Sequence, residues 1–88
     1  MKLIVMYRSR SEHAQTVESF VREFKERYDA PKLEVIDVDS REGVALASLY
    51  DIVSYPAILA TRDDGAITKE WQGNDLPLMD EVAFYAAA

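Results

Sequence analysis

Residues 2–7, KLIVMY, form a short apolar run with no alternation of polar and apolar side chains. An amphipathic strand alternates with period two, so a run of this kind belongs to a strand covered on both faces. An 88-residue chain has room for one domain, and such a domain buries only about 60–65% of the surface its unfolded chain exposes. The economical solution is one small sheet with helices on both sides.

The rest of the chain supplies those layers. After the polar stretch RSRSEH, the apolar positions Val17, Phe20, Val21, Phe24 and Tyr28 make one helical stripe, with Glu18, Arg22, Glu23, Lys25, Glu26 and Arg27 on the opposite face. Ser9 with Glu12 has the form of a capping box, and Ser11 is an equally good N-cap. Asp29-Ala30-Pro31 should stop this helix. Residues 33–38 read as a second strand, and Asp39-Ser40-Arg41-Glu42 supplies turn and cap residues. Val44, Ala45, Leu46, Leu49 and Tyr50 belong to a short helix. Strands over 57–62 and 66–72 flank Asp64-Gly65, a strong hairpin signal. Gly73-Asn74-Asp75 closes the last strand before a helix carrying Leu76, Leu78, Met79, Val82, Ala83 and Tyr85. The order β-α-β-α-β-β-α predicts one mixed four-stranded sheet flanked by three helices, in a single domain spanning residues 1–88. The β-α-β crossover should be parallel and the hairpin antiparallel. Alternation along the last strand puts Ile67, Lys69 and Trp71 on one face, with Trp71 packed under a helix.

Composition excludes several kinds of chemistry. There is no cysteine, so disulfides, thiolate nucleophiles and cysteine-ligated metals are ruled out within these residues. His13 is the only histidine, so no histidine cluster can hold a metal. The net charge of −6 is uneven: residues 1–28 carry six basic and four acidic side chains, and residues 29–88 carry four and twelve. An acidic body argues against nucleic-acid and anionic-membrane binding. The apolar run at residues 3–6 is too short for a signal peptide, and no 19-residue apolar segment exists, so a soluble cytoplasmic protein is expected. No cofactor is expected.

Pro56 needs its own explanation. It stands at the mouth of an apolar strand, where a proline is tolerated because it has no ladder hydrogen bond to donate. Its surroundings, LYDIVSYPAIL, carry more: a helix ending at Tyr50, then Ile52, a short loop, and Tyr55-Pro56 opening the strand. With Ile58-Leu59, Gly65 and Gly73 at matching places, and Asp39 closing VIDVD, residues 35–73 resemble the thioredoxin-fold family. The likeness extends more loosely over residues 1–34, and the short chain is closer in length to glutaredoxins. The resemblance implies an α/β thioredoxin-like fold and a cis Tyr55-Pro56 bond. It also implies that the backbone just before Pro56 pairs with an extended peptide or with glutathione.

The same resemblance points to what is missing. The family's Cys-x-x-Cys falls on Ser11-Glu12-His13-Ala14, to within one residue, and its buried acid on the preceding strand falls near Val5. Dithiol exchange is therefore excluded, which leaves a redox-inactive binding or interaction module as the leading expectation. Ser11 is not expected to replace the thiol, since His13, two positions along, is poorly placed as its base. One alternative is a cysteine-independent glutathione or anion binder, similar to glutathione transferases, with Tyr7 and Ser9 or Ser11 in the activating zone. Against it, WQGNDLPL lacks the acidic-Ser pair that holds the glutathione amine, and no helical second domain lies in these residues. Another alternative is a structural homo-oligomer joined through a sheet edge or the Tyr55 patch. The candidate site comprises Tyr7, Arg8, Arg10, Ser11, His13, Tyr55 and Pro56. The expected partner is a protein or peptide at the groove, or a small anion beside Arg8 and Arg10 at the first helix N-terminus. His13 is a candidate pH-responsive group, although an exposed histidine without a role is the plainer reading.

Overall fold

The structure, a computed structural model, describes residues 2–28, 32–73 and 76–87. Its elements are β1 (Lys2–Tyr7), α1 (Ala14–Arg27), β2 (Leu33–Asp37), α2 (Arg41–Tyr50), β3 (Ala57–Thr61), β4 (Ile67–Gln72) and α3 (Met79–Ala87). The sheet order is β2-β1-β3-β4. β1 runs parallel to β2 and antiparallel to β3, and β3 runs antiparallel to β4. The expected order and mixed four-stranded sheet are those of the fold. The expected helix stop at residues 29–31 and the Asn74-Asp75 closure lie outside the described residues.

β1 and β3 occupy the middle of the sheet, which is why their sequences do not alternate. Leu3, Val5 and Tyr7 of β1 and Ile58 and Ala60 of β3 pack with Val17, Val21 and Phe24 of α1 and Val82 of α3. The intervening Ile4, Met6, Ala57 and Leu59 pack with Ile36, Val38 and Ile52, under Leu46, Ala47 and Tyr50 of α2. Each fully buried side chain of this kind contributes about 1.5–3 kcal/mol of transfer free energy. Only part of the expected α2 stripe is covered: Val44 and Leu49 are 60% and 70% exposed.

α2 begins as its sequence suggests. Ser40 is the N-cap, its hydroxyl accepting the Gly43 N–H at 3.0 Å and donating to the Asp37 carbonyl at 2.6 Å. Gly43 is buried against that turn: a Cβ there would sit 2.1 Å from the Asp37 carbonyl oxygen and 2.7 Å from Val38 Cα.

α1 begins differently from the expectation. Neither the Ser9/Glu12 capping box nor a Ser11 cap forms. The N-cap is His13, with helical backbone angles and no side-chain capping bond. The Ser11 hydroxyl donates to the Arg8 carbonyl at 2.5 Å, and the Ser9 hydroxyl donates to Asp37 Oδ2 at 2.5 Å. Short hydroxyl side chains compete for nearby backbone and carboxylate partners, and here the loop wins both. A turn over residues 9–13 precedes the helix, and the Ala14 N–H reaches back to the Ser11 carbonyl.

β4 corrects a second expectation. Ala60 pairs with Lys69 but Thr61 pairs with Ile67, so Thr68 is an extra residue in a β-bulge. The bulge reverses the alternation, and Ile67 turns away from Trp71 to pack with the α2-side core. The Thr68 hydroxyl donates to the Ala60 carbonyl at 3.0 Å. Trp71 does pack under a helix, edge-on to Tyr85 at 5.6 Å, its indole N–H donating to Glu81 of α3 at 3.1 Å. Among the described residues, no helix is long and apolar enough to cross a membrane.

Candidate functional site

Antiparallel pairing of β1 with β3 ends at Met6 opposite Ala57. It brings the loop that follows β1 against the loop that precedes β3. Between them lies a cleft of about 730 Å³, lined by Arg8, Arg10, Ser11, Glu12 and His13 from the first loop, Thr16 and Val17 of α1, Tyr55 and Pro56 from the second loop, and Leu76. Six of the seven residues singled out from sequence therefore come together. Tyr7 stands apart. Its ring is buried in the core and its hydroxyl donates to Glu18 of α1 at 2.7 Å. That hydrogen bond, with burial and the Glu18 charge adding to it, pushes the Tyr7 phenol above its ordinary value.

The Tyr55 wall is held in place from β4. Gln72 Oε1 accepts the backbone N–H groups of both Val53 and Ser54 at 3.2 Å. The Tyr55 hydroxyl donates to the Ile52 carbonyl at 3.3 Å, and the Tyr55-Pro56 peptide bond is cis. The Gly73 N–H reaches the Pro56 carbonyl at 3.0 Å, so the β3–β4 ladder extends as far as Pro56. Beyond it, the backbone N–H and carbonyl of Tyr55 have no hydrogen-bond partner among the described residues. Gln72 and Leu76 were not legible as site residues. A glutamine at a strand end and a leucine before a helix carry no motif, and only the fold places them here.

The opposite wall carries the charge. The Arg8 guanidinium lies 6.0 Å over the Tyr55 ring, with its Nε 3.5 Å from Asp39 Oδ2, so it bridges the cleft mouth. Both members of that ion pair are exposed, and such pairs add little stability. Arg10 makes no hydrogen bond or ion pair among the described residues. The Ser9 hydroxyl, chiefly, holds the Asp37 carboxyl below the usual carboxylate range, assisted by the Asp39 N–H and more weakly by the Arg10 charge. The Arg8 backbone N–H donates to His13 Nε2 at 3.1 Å, which ties the loop back to the start of α1.

Among the described residues of the cleft, no hydroxyl is paired with a base. Ser11 faces a carbonyl rather than a base, and the His13 nitrogen that could accept a proton is taken by Arg8. Val5, where the resemblance would put a buried acid, is 1% exposed within the apolar core. Among the described residues, no group of three or more histidine, cysteine, aspartate or glutamate side chains could hold a metal.

Solved structures place this architecture. The chain superposes on thioredoxin 1 from the thermophilic eubacterium Thermosipho africanus with a TM-score of 0.71 at 15% identity, covering 99% of this chain and 91% of that one. It is also similar to the reduced thioredoxin preprotein of Schistosoma mansoni, with a TM-score of 0.68 at 25% identity, covering 98% and 77%. No family model and no curated protein matches the sequence. The chain has a thioredoxin-like fold of three helices and a four-stranded mixed sheet, and it has no cysteine with which to make the Cys-x-x-Cys motif.

Proposed function

We propose that residues 1–88 are a redox-inactive thioredoxin-like binding module that takes an extended peptide segment of a partner protein in the cleft between residues 8–13 and 54–57. The observation that carries this reading is the open backbone of Tyr55 on the cleft wall. A peptide laid there can satisfy both peptide groups by strand-like pairing, a mode in which main-chain bonds give affinity and neighbouring pockets give selectivity. With no thiol in the chain, the encounter ends in binding rather than exchange. In the glutathione-transferase-like alternative the activating hydroxyl would be that of Tyr7, Ser9 or Ser11, and these donate to Glu18, Asp37 and the Arg8 carbonyl, which favours the binding reading.

Selection from a random peptide-display library tests the proposal. The wild-type chain should enrich peptides that Leu76→Glu and Arg10→Glu variants, confirmed folded by circular dichroism, fail to retain. Equal retention by the folded variants would contradict it.

A further inference from the structure

We propose that His13 is a pH-dependent clasp on the cleft wall, closed while its imidazole is neutral and released when the ring is protonated; as regulation of binding, it rests on the peptide-binding reading above. The clasp is the hydrogen bond from the Arg8 N–H to His13 Nε2, 3.1 Å long, which closes the loop over residues 8–13 onto the N-cap of α1. A ring nitrogen accepts only through an unprotonated lone pair, so this bond selects the neutral tautomer with its proton on Nδ1. Histidine is the side chain that changes charge between about pH 5 and 8. Protonation turns the acceptor into a donor facing another donor.

The surroundings add to the effect. The new charge would sit at the N-terminus of α1, the positive end of the helix dipole. From the loop, Arg8 and Arg10 line the same cleft as cations, and among the described residues Glu12 is its one lining carboxylate. β1 contributes Tyr7, whose ring centroid is 6.4 Å from that of His13 and whose hydroxyl is held by Glu18 of α1. The far wall contributes Tyr55, and Asp39 sits behind Arg8. Arg8 is therefore the hinge of the device: its N–H makes the clasp and its guanidinium reaches Tyr55 and Asp39. Releasing the N–H loosens the wall that faces the open Tyr55 backbone, and peptide affinity falls as the pH drops. A net hydrogen bond corresponds to about a two- to tenfold change in an equilibrium.

The test is a nitrogen-15 NMR titration of the whole chain from pH 5 to 8, in which the single histidine leaves no assignment ambiguity. The expected result is the Nδ1–H tautomer at neutral pH and an Arg8 amide shift that follows the His13 ring with one midpoint. His13→Gln keeps an acceptor that does not titrate, so its Arg8 amide should be flat. An Nε2–H tautomer, an Arg8 amide that ignores the ring, or an unchanged pH response in His13→Gln would overturn the clasp. A library-selected peptide should bind the wild type about two- to tenfold more weakly at pH 5.5 than at 7.5, and His13→Gln equally at both; pH-independent wild-type affinity would overturn the regulatory role. If no peptide is selected while the Arg8 amide still tracks His13, the clasp stands and the peptide-binding reading alone fails.

Discussion

Tyr7 illustrates how a residue beside the cleft serves the fold instead of the site. Its phenol is held above its ordinary value, chiefly by the hydrogen bond to Glu18. A raised folded-state value means that the bond stabilises the fold fully below about pH 10 and is lost as the pH rises through the folded value. Tyr7→Phe keeps the ring and removes the bond, so urea denaturation at pH 7 should show a loss of about 1 kcal/mol, at the low end because Glu18 is exposed. The gap to wild type should narrow above pH 10 as the native phenol ionises. At this scale the sequence was partly legible. The resemblance to the thioredoxin fold put Arg8, Arg10, Ser11 and His13 across from Pro56, and the structure brings them to one cleft with it. What Ser9 and Ser11 do with their hydroxyls was not legible, since the turn preceding α1 decides which acceptor each one meets.

Elements show where local pattern and tertiary context part. The stripe of α1 and the cap of α2 follow from spacing and from Ser40. The facing of Ile67 does not, because the bulge at Thr68 inserts one residue that no propensity signals. α2 lies so close to the turn after β2 that Gly43 admits no Cβ without moving backbone. Gly43→Ala should therefore cost about 2–4 kcal/mol by chemical denaturation, although alanine favours helices. That is a large share of the roughly 5–10 kcal/mol available to a domain of this size. Gln72 links β4 to the cleft wall. Gln72→Ala leaves the Val53 and Ser54 amides without their acceptor. Their hydrogen exchange should accelerate about three- to tenfold, as expected for one net hydrogen bond each, while core amides such as Leu59 stay protected. Unchanged exchange at both positions would show that the loop is held by something else.

For the whole molecule, the uninterrupted apolar runs of β1 and β3, the helical stripe of α1, the Asp64-Gly65 hairpin and the placement of Pro56 together specified the architecture. They agree because each reports the same constraint, a central pair of strands covered on both faces. The cleft was legible for the same reason: strand order β2-β1-β3-β4 forces the ends of β1 and β3 together. The held but unpaired backbone at Tyr55 was not legible, since it depends on where the β3–β4 ladder stops and on a glutamine from the neighbouring strand. The deciding measurement is a backbone-amide NMR map of the chain saturated with a library-selected peptide at pH 7.5. Shifts concentrated at residues 8–14, 54–57 and 76, with the Tyr55 amide newly protected from exchange, are the predicted result. A saturable map on another face, with Tyr55 still exchanging freely, would contradict binding through this cleft.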